Sequence, residues 1–166
     1  MQTPSVYPKF AVMLGAAAAF VAATSRMLPP LVASHFDAAG RANGFMPRTG
    51  YTIFMLAMTV ALPAFLALCL EMTRRIPPRL INLPHRDYWL APERSDESLD
   101  YLRTHSLRFA GLLAAFLCVV HWLVVAANLE VPPLLPTATM VAALVLFGAA
   151  TIVWTGAFFV HFRRPA

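Results

Sequence analysis

The chain has 166 residues, of which 59% are hydrophobic and only 13% are charged. A soluble domain carries about a quarter charged residues, so this composition excludes an ordinary soluble domain and indicates a membrane protein. Each spanning helix needs about 20 apolar residues, which leaves room for four spans and no separate soluble core. In a membrane protein, an excess of basic residues usually marks the cytoplasmic loops. We therefore attribute the formal net charge of +5 to membrane topology and not to nucleic-acid binding.

Four apolar runs predict an all-α fold, a four-helix membrane bundle that forms a single domain over residues 1–166. Pro63 lies near the centre of the second run and should kink that helix, because proline removes a backbone donor. The predicted spans are about 10–28, 49–71, 109–129 and 137–162.

Basic residues indicate the orientation of these spans. The loops are predicted at 29–48, 72–108 and 130–136, and the middle one holds seven arginines: Arg74, Arg75, Arg79, Arg86, Arg94, Arg103 and Arg108. Because basic loops stay on the cytoplasmic side, we expect both termini and loop 72–108 in the cytoplasm. Loops 29–48 and 130–136 then lie outside.

The first outer loop contains the residues that are candidates for binding or catalysis. Val32 to Asp37 should be extended, with His35 and Asp37 on one strand face, and Gly40 and Asn43-Gly44 should supply positive-φ turn positions. The histidine and aspartate could bind a metal or act as an acid–base pair, or they could simply order the loop. A structural zinc site needs four ligands, so we predict no resident metal and no cofactor.

His121 is the one strongly titratable side chain deep in a predicted span. Such residues often serve proton relay or ligand contact, which leaves a small-substrate transporter open. The alternative, which is cheaper to build and commoner, is a neutral histidine that donates to a backbone carbonyl or to Thr151 or Thr155 on the fourth span.

The cytoplasmic loop is expected to contact the membrane surface. Ser95 should cap a helix that lies on the surface and continues into the third span. We predict lipid-headgroup contacts for four side chains: Arg74, Arg75, Arg79 and Trp89.

Two motifs resemble a known family. Leu28-Pro29, Val32, His35-Phe36, Gly40 and Asn43-Gly44 resemble the "LP…V..HF…G…G" segment of the domain of unknown function 1648 family, and "NLPHRDYWLAPER" at 82–94 resembles a cytoplasmic segment of its bacterial members. That family includes SdpI-like proteins, which act in immunity to a secreted toxin and in signalling. The resemblance implies a multi-pass protein of the bacterial inner membrane.

We therefore expect a non-enzymatic protein that binds a membrane partner, a lipid or an extracytoplasmic toxin through its outer loop. The expected binding residues are His35, Asp37, Asn43 and Gly44. A metal-dependent membrane enzyme centred on His35 and Asp37 is the alternative, and a homo-oligomer stays open.

Overall fold

The computed structural model describes residues 6–163, and the side chains of Val6, Leu70 and Arg74 lie outside the described part. Its main elements, in chain order, are α1 (Val6–Thr24), β1 (Leu31–Phe36), β2 (Ala42–Pro47), α2 (Arg48–Leu56), α3 (Leu62–Met72), α4 (Arg86–Trp89), α5 (Ser95–Asn128) and α6 (Thr137–His161). Short 3₁₀ turns follow α1 at Ser25–Met27 and α3 at Thr73–Arg75, and a third lies at Pro78–Leu80.

Within residues 6–163, four helical segments are long and apolar enough to cross a membrane, which confirms the prediction of an all-α membrane bundle. They are Tyr7–Met27, Arg48–Cys69, Ser95–Asn128 and Thr137–His161. The protein is therefore an α-helical membrane protein, and the ordered loop between its first two spans is an antiparallel β-hairpin.

The second span is not a regular α-helix. Its middle is a π-helical turn at Ala57–Ala61, and Pro63, two residues after that turn, is fully buried. Proline has no N–H to give to the carbonyl four residues earlier, and its ring crowds that carbonyl, so the backbone just before it departs from α geometry. The expected irregularity at the centre of this span takes the form of a widened turn.

Three spans form the centre of the bundle, and the fourth lies at its side. α1, the α2–α3 span and α5 pack against one another, whereas α6 packs on α5 and contributes no buried residue among those described. On the hairpin side, a core cluster joins α1, β1, α2 and α5; it consists of Val21, Leu28, Val32, Tyr51, Met55, Val124 and Val125. The hairpin thus shares its core with the bundle.

α5 is one continuous helix of 34 residues, about 51 Å long, so it extends well beyond a hydrocarbon layer of about 30 Å. The helix predicted after Ser95 therefore does run into the third span. The predicted cap is wrong: Arg94 occupies the cap position without a side-chain hydrogen bond, and Ser95 is the first helical residue. Ser98, one turn later, donates its hydroxyl to the carbonyl of Trp89.

Candidate functional site

Asp37 builds the turn of the hairpin. One carboxylate oxygen, Oδ1, accepts hydrogen bonds from the backbone N–H groups of Ala39 and Arg41, each at 2.9 Å. Gly40 follows with φ +81°, and its N–H donates to the Asp37 carbonyl. This is the local side-chain-to-backbone bonding that aspartate favours in turns. It supports the ordering role for Asp37.

His35 lies on the strand and packs over Gly44. The two residues are register partners, and a Cβ atom added to Gly44 would lie 3.0 Å from the His35 Cβ. β1 ends at Phe36, so Asp37 belongs to the turn and the predicted shared strand face with His35 is wrong. The predicted turn role of Asn43-Gly44 is also wrong, because both residues belong to β2 and the positive φ is at Gly40.

Asn128, at the end of α5, holds the hairpin on the bundle. Its side-chain oxygen accepts the N–H of Ala33 at 2.8 Å, and its nitrogen donates to the Ala33 carbonyl at 3.0 Å and to the Val124 carbonyl at 2.9 Å. Asn128 and Ala33 are both buried. The Asn128 amide therefore pairs with the N–H and the carbonyl of Ala33 at the outer edge of β1, as the backbone of a neighbouring strand would.

The hairpin turn is also joined to the loop between α5 and α6. The N–H of Leu135 donates to the Gly40 carbonyl at 2.8 Å, and Arg41 forms a β-bridge with Leu134. A Cβ atom on Gly40 would lie 2.4 Å from the Leu135 carbonyl oxygen, so only glycine fits this contact. Leu134 in turn donates its N–H to Ala127 at the end of α5.

A groove of about 710 Å³, the hairpin groove, lies between β2 and the α5–α6 loop. Its lining comprises Arg41, Ala42, Phe45, Glu130, Val131, Pro132, Pro133, Leu134, Leu135 and Pro136. Large apolar side chains stay open to the surroundings here: Val131 is 96% exposed, Phe45 53% and Leu134 50%. The sequence predicts only a loop at 130–136, because nothing in its local residues shows that it meets the hairpin.

His121 is fully buried where three helices meet. Its Nε2 lies 2.8 Å from the Thr24 hydroxyl on α1, and its Nδ1 lies 3.1 Å from the Tyr51 hydroxyl on α2. Thr24 gives its own proton to the Phe20 carbonyl, so it accepts from Nε2–H, and Tyr51 then donates to Nδ1. Both nitrogens of a neutral imidazole are satisfied. The predicted partners on the fourth span are wrong, since Thr151 bonds to Phe147 within its own helix.

The predicted lipid-contact residues have different surroundings. Arg75 and Arg79 are exposed, whereas the side chain of Arg74 lies outside the described residues. Trp89 is half-buried: its indole N–H donates to the Phe162 carbonyl at 3.2 Å and its ring stacks on His161. The indole thus ties the loop to the end of α6.

Metal-ligating side chains do not cluster in the described part of the chain: no group of three His, Cys, Asp or Glu side chains there could hold an ion. His35 is exposed, and its Nδ1 lies 3.1 Å from the Ser34 hydroxyl. Within the described residues, the polar groups of the hairpin are thus engaged mainly in local hydrogen bonds.

Four spanning helices with an ordered β-hairpin between the first two define the class, a multi-pass membrane protein. Residues 12–60 match the family model described as "Domain of unknown function (DUF1648)". The match runs from α1 through the hairpin into the π turn, and it confirms the resemblance carried by the loop motif. No curated protein and no solved structure matches the chain. The SdpI-like relationship and the bacterial origin stay predictions.

Proposed function

We propose that this membrane protein is a non-enzymatic binding protein whose hairpin groove takes up a segment of another polypeptide. The supporting observation is the exposed apolar lining of the groove. Val131, Phe45 and Leu134 keep at least half of their side-chain surface accessible, and contiguous apolar surface outside the spans is typical of interaction sites. Binding would remove this surface from water.

The chemistry of the groove favours a polypeptide as the occupant. β2 belongs to a two-stranded sheet, so beyond the Arg41–Leu134 bridge one of its edges has no strand beside it in the described chain. An extended segment could add to such an edge through main-chain hydrogen bonds, while its side chains contact Phe45. Arg41 and Glu130, at the groove, offer one charge of each sign to fix the direction of the segment.

The groove is preorganised, which lowers the entropic cost of binding. One wall is held to α5 by Asn128, and the two walls are joined through Gly40 and Leu135. Asp37 maintains the turn, and His35 and Asn43 add exposed polar groups on the same hairpin.

The expected location of the hairpin follows from the distribution of basic residues, and the expected kind of partner follows from the family resemblance. The positive-inside rule places the hairpin on the outer face of the cytoplasmic membrane, with both termini inside. The occupant would then be a secreted polypeptide, such as the toxin that the SdpI-like resemblance implies, or the outer segment of a membrane protein. Immunity or signalling would be the result of its capture.

Site-specific photocrosslinking tests the proposal. A photoreactive phenylalanine analogue replaces Phe45 in the groove or, as the matched control, Phe54 on α2; their exposures are 53% and 52%. In native membranes, Phe45 should capture one identifiable polypeptide that Phe54 does not. Leu134→Asp should reduce that capture at least about tenfold, because it places a charge in the apolar groove.

Two results would contradict this function. One is capture of the same molecules from both positions, or of lipid alone from position 45. The other is undiminished capture in the Leu134→Asp protein when that protein is present in the membrane at the normal level.

A further inference from the structure

A second cavity, separate from the hairpin groove, lies between the end of α1 and the start of α2. Its volume is about 380 Å³, and the residues around it include Ser25, Arg26, Arg48, Thr49 and Thr52. We call it the arginine cavity. The two spans end and begin here, at Met27 and Arg48, so the cavity lies where hydrocarbon gives way to headgroups.

The charge in this cavity is positive and uncompensated by the described residues. Two guanidinium groups line it, no carboxylate does, and neither arginine forms an ion pair within the part of the chain that the structure describes. Arg48 uses one nitrogen, Nη1, to donate to the Leu28 carbonyl at 3.0 Å. Guanidinium groups bind phosphate in a bidentate manner, and two of them in one cavity repel each other until an anion enters.

The start of α2 adds backbone donors to the same place. α2 has nine residues, begins at Arg48 and follows Pro47, which provides no side-chain cap. The N–H of Arg48 donates to the Pro30 carbonyl at 2.9 Å, but the N–H groups that follow it in the first turn of α2 have no partner within the helix, and the helix dipole favours an anion beside them. Thr49, the second residue of α2, lines the cavity.

Ser25 is an independent indication of a ligand. Ser25 lines the cavity and is only 3% exposed, and its buried hydroxyl has no hydrogen-bond partner in the described structure. A buried hydroxyl without a partner costs free energy, and an anionic oxygen in the cavity would remove that cost.

We propose that the arginine cavity binds a phosphate group, supplied by a phospholipid headgroup or free in solution, through Arg26, Arg48, Ser25 and the amide end of α2. Apolar residues beside the arginines, Ala22 and Ile53, complete the wall, and Ile53 is 63% exposed. Such a wall suits the glycerol and first acyl carbons of a lipid below its phosphate. This proposal does not depend on the hairpin groove.

Native mass spectrometry of the detergent-solubilised protein tests it. The protein is titrated with phosphatidylglycerol, with phosphatidylcholine and with inorganic phosphate. We expect phosphatidylglycerol to bind at least about tenfold more tightly than phosphatidylcholine, whose choline cation competes with the arginines for the phosphate. The variant Arg26→Gln/Arg48→Gln should lose this preference, and Ser25→Ala should weaken it several-fold.

Arg41→Gln is the matched control, because it removes one positive charge on the same side of the membrane but outside this cavity. It should keep the preference for phosphatidylglycerol. Since Arg48 also holds Leu28, Arg26→Gln alone is measured as a second variant that leaves this bond intact; it should lower the preference at least about threefold.

The outcomes separate the two phosphate sources. Retention of phosphatidylglycerol that millimolar inorganic phosphate does not displace assigns the site to a lipid, and displacement or direct phosphate binding assigns it to the free anion. The proposal is overturned if neither phosphatidylglycerol nor phosphate binds better than phosphatidylcholine. It is also overturned if the double variant keeps the preference, or if Arg41→Gln loses as much of it as the double variant does.

Discussion

Among single residues, Asn128 connects the longest helix to the hairpin. Its amide makes three hydrogen bonds, two of them to the backbone of Ala33 at a buried position. Water cannot readily replace a partner there, so the loss of the amide would leave a buried N–H and a buried carbonyl unpaired. The attachment of the hairpin therefore depends strongly on one side chain.

Replacing Asn128 with alanine should destabilise the hairpin attachment by about 2–4 kcal/mol, since the buried groups of Ala33 lose their partners. Hydrogen exchange of residues 31–36 in detergent would measure this loss as faster exchange at Ala33. Asn43→Ala is the control; Asn43 is exposed on β2, and its replacement should change stability by less than about 0.5 kcal/mol. Equal exchange in both variants would show that Asn128 does not hold the strand.

His121 shows what a sequence can and cannot reveal about one residue. Its position deep in an apolar run made it conspicuous, and the bonded, neutral imidazole was one of the two interpretations that the residues left open. Its partners were not predictable, because Thr24 and Tyr51 are 97 and 70 positions away along the chain. The hydrogen bonds of His121 depend on how each of three helices is oriented about its own axis. In lipid, the pattern of apolar residues determines that orientation poorly, because both the lipid-facing and the buried sides of a helix are apolar.

Among the elements, the hairpin and the α5–α6 loop form one unit although more than 80 residues separate them. Gly40 is the contact point, with a positive φ and a carbonyl that accepts the Leu135 N–H. The backbone hydrogen bonds between the hairpin and the α5–α6 loop hold these two segments together as the two walls of the hairpin groove.

Replacing Gly40 with alanine should separate these walls, because the new Cβ atom would meet the Leu135 carbonyl oxygen and the positive φ would be strained. We expect a loss of about 1–3 kcal/mol and weaker polypeptide capture at Phe45. Thermal unfolding in detergent and the photocrosslinking yield measure the two effects. Gly50→Ala is the control, since a Cβ atom there has nothing within 4 Å; it should be neutral or slightly stabilising. Matching losses in both variants would contradict the role of Gly40.

The ends of the long apolar helices were predictable to within a few residues, except for the early start of α5, because a helix that crosses the bilayer needs about 20 apolar residues. Leu31–Phe36 was also predictable as an extended segment. The groove was not, because it arises where two loops meet after the helices have packed. The wrong assignments for Asp37 and Asn43-Gly44 have a local cause: the Asp37 carboxylate closes the turn onto the N–H groups of Ala39 and Arg41, so β2 already begins at Ala42.

For the whole molecule, the orientation in the membrane is the first property to test. In a background in which the free cysteines Cys69 and Cys118 are replaced by serine, Asn43→Cys and Asn82→Cys place one thiol on each side. A membrane-impermeant maleimide should label position 43 in intact cells and position 82 only after permeabilisation, as the basic loop stays inside. The reverse pattern would place the hairpin and both proposed sites in the cytoplasm.

The unbroken length of α5 also has a mechanical consequence. The helix is bonded at its last residue to the hairpin and, ten residues after its first residue, to Trp154, whose indole donates to the His105 carbonyl at 2.8 Å. A stiff rod of about 51 Å that pivots by about 10° at Asn128 displaces its first turn by about 9 Å. A small tilt of this helix at the hairpin would therefore move the basic loop, on the other side of the span, by several ångströms.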